Sequence, residues 1–585
     1  IPLEAQRLGL PAYGSDLNPV AVMIGKAMIE IPPKFKDMEP IHPGLKERNH
    51  YRNAEGLAED IRQYGLWMRG RAEERIGRLY PKVAIPTSSG ENEATVMAWI
   101  WARSVESPNP AMQGKKVPIV KSFKLGGKGD RQTWIIPNID QSALSFSFGI
   151  ERTQNPKIKT TSGRRNATCL VTGDAIPIEY IQNQGKRGNL GRELLAIVAE
   201  GPSGKVYLPP VSTHDNIEHT VEYERHLGKI EHWRSCTNCV VYGLDRFEDL
   251  HTRRQLLALG TFAGLLDEVE DKISSDAKSA GKGAEFAANY AASVRVYLGL
   301  AVSKAADKWN SMTSWDNSRE SVSHLFTRQA IPMVWDYAET NPFSSSAGNW
   351  TSYTNWIAKV VEQLVSSNSG NIFQRDAASS ENGVQGCVIS TDPPYYDNVP
   401  YSNLSDFFYP WVKAAGSSAY PSLFSTIQVP KQTELVANQF RFGGKDAASR
   451  HFIEGMKLAM RDMVANARND WPVAIYYAFK QAEISNEGGF SRGWADFLSS
   501  VIEAGFEIHG TWPVRTELSN RMMGIGNNAL ASSVVLVCRK KLSNAGTVTR
   551  SEFIRALKRE LPPAIQELQA ANVSPADMPQ SAIGP

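Results

Sequence analysis

Apolar positions along the chain alternate between helical and strand-like spacing. Pro2 to Leu10 carries apolar residues at helical spacing, a proline at a helix-start position and Gly9 near its end. Ala12 to Asp16 then predicts a short strand ending in an acid, followed by a helix capped near Asn18 with Pro19 in its first turn. Leu57, Ile61, Tyr64, Leu66, Met68, Ile76 and Leu79 predict a long helix that Pro81 ends. Between Val117 and Ile150 the pattern shifts to short β-like runs separated by glycine and proline, and runs at 195–199 and 206–208 extend this small β module. Two proline-free helical stretches, 252–274 and 284–308, predict a helical hairpin.

The second half repeats the theme of apolar strand followed by helix. Gly386-Cys387-Val388-Ile389 predicts a buried strand that ends at Ser390-Thr391-Asp392-Pro393-Pro394-Tyr395-Tyr396. An aromatic helix over 399–412 is expected to bury Phe408 and Trp411. A helix at 447–468, a strand at 473–479, a helix at 493–504 and strands at 506–512 and 532–538 complete the series, with a glycine- and asparagine-rich loop at 522–528. The expected fold class is α/β, a doubly wound Rossmann-like sheet interrupted by a long insertion with a small β module and a helical hairpin.

Composition narrows the setting. At 585 residues the chain should divide into three or four domains, at roughly 100–200 residues each. No apolar run approaches the roughly 20 residues that span a bilayer, so no membrane association is expected. Five cysteines are too few for a disulfide framework, which suggests a reducing, cytoplasmic setting. A net charge of +3 does not by itself argue for nucleic acid, although Lys115-Lys116, Arg164-Arg165 and Arg539-Lys540-Lys541 could line a groove. The chain starts without methionine, and the glycine-rich loop expected before Pro2 is not in the sequence, so a fragment of a longer chain is expected.

Candidate chemistry sits at the two strand ends. An acid at the tip of the second strand of a doubly wound sheet can accept hydrogen bonds from ribose hydroxyls, so Asp16, Leu17 and Asn18 are candidate cofactor-binding residues. A second reading makes Asp16 or Asn18 only a helix cap. At the other strand end, the carboxylate of Asp392, the turn stiffened by Pro393 and Pro394, and the ring of Tyr395 together suit a flat heterocycle bearing an exocyclic amine. Tyr396 and Tyr401 lie near enough along the chain to touch such a substrate. A turn or cap role for Asp392 and a core role for Tyr395 remain the alternatives. Cys236-Thr237-Asn238-Cys239 is read either as two ordinary small residues or as half of a metal or redox site.

The order of Ser15-Asp16-Leu17-Asn18-Pro19-Val20-Ala21, a long insertion and Asp392-Pro393-Pro394-Tyr395 resembles the adenine-specific DNA methyltransferases that carry an inserted zinc-ribbon region. The segments 335–343, 404–409 and 510–517 resemble that family too. The resemblance implies a methyltransferase-like sheet begun at 1–45, an insertion with a degenerate ribbon at 46–235, a helical region at 236–320, the rest of the methyltransferase domain at 321–545 and a helical extension at 546–585. It also implies transfer of a methyl group from S-adenosylmethionine to the N6 amine of adenine in double-stranded DNA, with the base flipped out. Partner subunits of a modification or phage-defence system are a further implication. Where relatives carry paired ribbon cysteines, this chain has Ser107 to Gln113 and Cys169 to Gly173, with Cys169 alone remaining. A tetrahedral structural zinc needs four ligands, so no metal is expected.

In the mechanism so implied, Asp392 and the Pro393 carbonyl accept the two amine hydrogens and aim the nitrogen lone pair at the methyl donor. Tyr395 stacks on the base and Pro394 holds the turn. The same geometry would serve cytosine N4 or RNA, and a non-catalytic DNA-binding subunit is the alternative from another class.

Overall fold

The computed structural model describes residues 1–45, 48, 50–87, 90–233, 236–364, 368–380, 384–396, 399–477, 492–515, 532–542 and 546–570. The chain is mixed α/β with several small sheets. It forms two units: Ile1–Val22, Gly370–Ser402 and Pro430–Pro585 make the first, and Met23–Ser369 with Asn403–Val429 makes the second. The expected loop at 522–528 and the ends of the expected strand at 473–479 and of the segment 510–517 fall outside the described residues.

In the first unit, β1 (Ala12–Asp16) runs parallel to β2 (Gly370–Gln374), with Ala12 opposite Gly370 and Asp16 opposite Gln374. Packing is close at Gly14: a Cβ there would meet Ile372 Cδ1 at 2.6 Å and Pro2 Cγ at 2.9 Å, so the Ile372 side chain would have to shift. A second sheet contains β3 (Ser390–Thr391), β4 (Val473–Tyr477), β5 (Phe506–Arg515) and β6 (Ser532–Lys540) in the order β3-β4-β6-β5. β3 is parallel to β4, whereas β6 is antiparallel to both of its neighbours.

Alternation along β4 and β6 decides which face is buried. Val473, Ile475 and Tyr477, with Val534, Leu536 and Cys538, pack against helices at Lys445–Asn466 and Arg492–Glu503. Phe452, Met456 and Met460 from the first helix and Trp494, Phe497 and Val501 from the second fill that layer.

The apolar run before β3 departs from expectation. Only Ser390–Thr391 join the ladder, Cys387 makes an isolated parallel bridge to Ala467, and Val388 is 59% exposed. The run lies at the end of the described sheet, so it has a partner strand on one side, and Pro393 and Pro394 lack the N–H groups that would extend the ladder.

The second unit is centred on a strand that the periodicity did not reveal, Val96–Glu106. It pairs with Gly191–Gly201, Asp336–Thr340 and Lys116–Pro118, and buries Trp99 and Trp101 completely or nearly so. A separate three-stranded sheet is formed by Lys124–Gly126, Thr133–Asp140 and Ser145–Arg152. The helical hairpin is Arg253–Ser279 and Ala284–Ala306; Thr252 opens it by accepting the Gln255 N–H at 3.1 Å while Gln255 Oε1 accepts that of Thr252 at 2.9 Å. In the aromatic stretch Trp411 is buried as expected, but Phe407 rather than Phe408 is the buried phenylalanine, stacked on His251 with ring centroids 5.6 Å apart. No helix among the described residues is long and apolar enough to cross a membrane.

Candidate functional site

The sequence-predicted residues of the site all belong to the first unit. β3 delivers Asp392 to its end, where the two prolines turn the chain and leave the carboxylate exposed. Crowding by protein atoms raises the Asp392 pKa from the usual aspartate value, and a hydrogen bond from the Tyr395 hydroxyl partly opposes this. The Tyr395 phenol is pushed up to about 12, chiefly by burial and then by the Asp392 charge, while the Ser533 hydroxyl donates to it. Its ring meets Tyr477 edge-on at 5.3 Å. Tyr395 is therefore held on β4 and β6 and tied to the acid beside it.

Tyr396 turns the other way. Its ring packs against Phe452 at 5.1 Å, and its carbonyl accepts the Ala437 N–H at 2.7 Å. Tyr401 opens a short helix, α1 (Tyr401–Ser405), and remains 41% exposed. Burial raises its phenol, and the charges of Asp392 and then Glu434 raise it further.

At the end of β1, Asp16 Oδ1 accepts the Asn18 N–H at 2.8 Å, and Asn18 Oδ1 accepts the Val20 N–H at 3.0 Å. Asn18 thus caps the helix Pro19–Ile29, as one sequence reading allowed. Leu17 contributes its carbonyl to Gln374 Nε2 at 3.0 Å. Asp16 is exposed by accessible area, yet enough atoms crowd it to raise its pKa, followed by the opposing Asn18 N–H and the raising charge of Glu434. Exposure governs whether a ligand reaches the carboxylate, and this one is reachable.

Glu434 is a candidate for the site that the sequence does not mark. It lies near enough to both Asp16 and Tyr401 to perturb each, and Tyr401 in turn feels Asp392. No periodicity or motif marks Lys431-Gln432-Thr433-Glu434 as more than a polar loop. When ionised, the exposed carboxylates of Asp16 and Asp392 offer acceptors only, whereas that of Glu434 is taken up by Ser402 and Arg441, so the site suits ligands rich in donors or positive charge: ribose hydroxyls, an exocyclic amine, a sulfonium.

No protein-family model, curated protein or solved structure matches this chain.

The segments 107–113 and 169–173, expected to form a ribbon, lie in the second unit, and two of their residues meet. Ser107 Oγ is 3.7 Å from Cys169 Sγ. Cys169 begins a tight turn in which its N–H donates to the Asp174 carbonyl at 2.7 Å and its carbonyl accepts the Gly173 N–H at 3.0 Å. Asn109 Nδ2 ties the other segment to Asp174 Oδ2 at 2.6 Å. Burial pushes the Cys169 thiol up, but hydrogen bonds from Thr172, the Val171 backbone and Ser107 outweigh it and leave the thiol below its usual value. Cys236 and Cys239 are buried; desolvation pushes their thiols up to about 11 and about 12, which favours the protonated form at neutral pH. Among the described residues no group of three or more His, Cys, Asp or Glu side chains is arranged to hold a metal ion.

Proposed function

We propose that this chain is an S-adenosylmethionine-dependent methyltransferase acting on the N6 amine of adenine in DNA. The observation that carries the reading is the exposed Asp392 carboxylate at the end of β3, with the Tyr395 ring beside it packed edge-on against Tyr477; the exposed acid Asp16 at the end of β1 goes with it. Strand pairing supports it as well: a parallel β1–β2 pair and a β3-β4-β6-β5 sheet with an antiparallel closing edge suit the flanks of a doubly wound sheet, whose ligands lie at the carboxyl ends of strands. The four-residue turn at Asp392 and its resemblance to the amino-methyltransferases supply the choice of chemistry.

S-adenosylmethionine, when bound, supplies the electrophilic methyl group. Asp16 fits its ribose hydroxyls as an exposed acceptor, with Asn18 and Leu17 occupied in holding the backbone around it. Asp392 accepts an amine hydrogen in its ionised form, and the Pro393 carbonyl takes the other, so the nitrogen lone pair is turned toward the incoming carbon. The Tyr395 hydroxyl holds the Asp392 carboxylate in place. Tyr401 is the aromatic face exposed toward a flipped base, with stacking worth roughly 1–3 kcal/mol. Action on DNA in the cytoplasm, alone or with subunits of a modification or defence system, goes with this reading.

The test is incubation of the full chain with methyl-labelled S-adenosylmethionine and either duplex DNA or RNA, followed by digestion to nucleosides. Labelled N6-methyladenine from DNA, lost on Asp392→Ala, is the expected result. Labelled N4-methylcytosine or RNA nucleosides would move the substrate, and DNA binding without any methyl transfer would replace catalysis with a binding role.

A further inference from the structure

The loop Pro430–Gly444 approaches the acid turn from a distant part of the sequence and is anchored at three points. Its Ala437 N–H reaches the Tyr396 carbonyl. The Glu434 carbonyl meets a His451 ring nitrogen at 3.0 Å. The third anchor is ionic: Arg441 Nη1 donates to Glu434 Oε2 at 3.0 Å and to the Lys431 carbonyl at 2.7 Å, and both side chains are largely buried, 4% and 13% exposed. Asn438 Oδ1 shapes the intervening turn by accepting the Phe440 and Arg441 N–H groups at 2.9 and 3.2 Å.

The remaining capacity of the Glu434 carboxylate goes to one residue. Oε1 accepts the Ser402 N–H at 3.0 Å, Oε2 accepts the Ser402 hydroxyl, and Arg441 Nη2 reaches that hydroxyl at 3.4 Å. Ser402 directly follows Tyr401 and lies in the first turn of α1, where backbone N–H groups have no helical partner. An ionised side chain from elsewhere in the sequence therefore does the work that a local cap usually does. Burying the pair has a desolvation cost that a surface cap would avoid, and it is offset only while every partner stays in place.

We propose that Glu434, held by Arg441, is a positioning residue that sets the placement of Tyr401 through the N–H and hydroxyl of the adjacent Ser402. This rests on the methyltransferase reading for its consequence, though not for its geometry. Misplacing a substrate-orienting group by about 1 Å costs roughly 10²-fold in rate, so Glu434→Gln, which keeps the shape and removes the charge, should lower kcat by about that factor. Asp16 keeps its own Asn18 hydrogen bond, so affinity for S-adenosylmethionine should stay within about twofold, a free-energy change of only ~0.4 kcal/mol.

The experiment uses the full chain in four forms: wild type, Glu434→Gln, Glu434→Asp and Tyr401→Phe. Isothermal titration with S-adenosylmethionine reports cofactor affinity, and methyl transfer to DNA gives kcat and KM. The phenol titration of Tyr401 is isolated as the spectral difference from Tyr401→Phe. The charged groups acting on that phenol are Asp392 and Glu434. The proposal expects a fall in kcat, unchanged cofactor affinity, a downward shift of the Tyr401 titration in Glu434→Gln, and recovery of part of both in Glu434→Asp. A Glu434→Gln variant with wild-type kcat and an unmoved Tyr401 titration overturns it. Loss of cofactor binding together with a lowered melting temperature also overturns it, since the residue would then serve stability. If the wild-type chain transfers no methyl group, the function reading fails, and amide hydrogen exchange over residues 401–405 decides the placement: faster exchange in Glu434→Gln than in wild type upholds it, and unchanged exchange rejects it.

Discussion

Replacing Asp60 by Asn should change how stability depends on pH in one part of the second unit. Asp60 lies on the helix Glu55–Ile76 and is fully buried. Its carboxylate accepts the Ile41 N–H at 2.6 Å, the His42 N–H at 2.9 Å and the Tyr290 hydroxyl, which joins the preceding loop to the helical hairpin. Burial outweighs these hydrogen bonds and raises its pKa from 3.8 to about 6. The folded carboxyl thus holds its proton more tightly than the unfolded one, so the unfavourable contribution is complete above about pH 6 and gone below about pH 4. Two units at 1.36 kcal/mol each give about 3 kcal/mol. The neighbouring His42 has a lowered pKa, chiefly from burial, and its contribution runs the opposite way, being lost as pH falls through that value. Comparing wild type with Asp60→Asn leaves the Asp60 part. In so large a chain, global unfolding is not a two-state process, so amide hydrogen exchange over residues 37–64 is the suitable assay. The stability of wild type relative to Asp60→Asn should rise by about 3 kcal/mol between pH 7 and pH 4. Parallel profiles, within about 0.5 kcal/mol across that window, would refute the burial argument.

Further outcomes are open to measurement. Glu339→Ala leaves the Arg254 guanidinium, 1% exposed and 4.1 Å from the centre of the Trp99 ring, buried without the carboxylate at 2.7 Å, and should cost about 3–5 kcal/mol in protection by amide hydrogen exchange over residues 253–259 and 336–340. The paired change Arg254→Met with Glu339→Leu should recover most of that; a loss under about 1 kcal/mol for Glu339→Ala alone would contradict the ion-pair reading. Asp16→Ala should weaken S-adenosylmethionine binding by about 10–100-fold, as expected for one hydrogen bond to a charged acceptor. Asn18→Ala, by contrast, should cost about 1 kcal/mol of helix stability with cofactor affinity retained, and equal affinity losses in the two would merge their roles. Asp392→Asn should lower kcat by roughly 10²–10³-fold. The wild-type rate should fall as pH drops through the raised Asp392 pKa, because only the ionised form is an acceptor at both oxygens; a flat acid limb in a pH–rate profile would count against that role.

Local rules made much of the site legible. The strand ending at Asp16, the Asn18 cap and the Pro19 helix start all depend on residues within a turn of one another, and each is present. The helical hairpin was readable for the same reason: its apolar spacing and the Thr252–Gln255 box are local. The strand before Asp392 is shorter than its apolar run predicts, because an apolar tetrapeptide looks the same whether one neighbouring strand or two will cover it. The strand Val96–Glu106 was overlooked because burial on both faces removes the alternation that betrays a strand.

The sequence alone determined the turn at Asp392 to Tyr395 and the acid at the strand end at Asp16, since residue type and backbone punctuation are short-range properties. Only the tertiary structure decided that Glu434 lies near Asp16 and Tyr401, that Arg441 neutralises it, and that Ser402 receives its hydrogen bonds. A charge acts through distance in space, and the chain positions that folding brings together leave no periodic trace along the sequence.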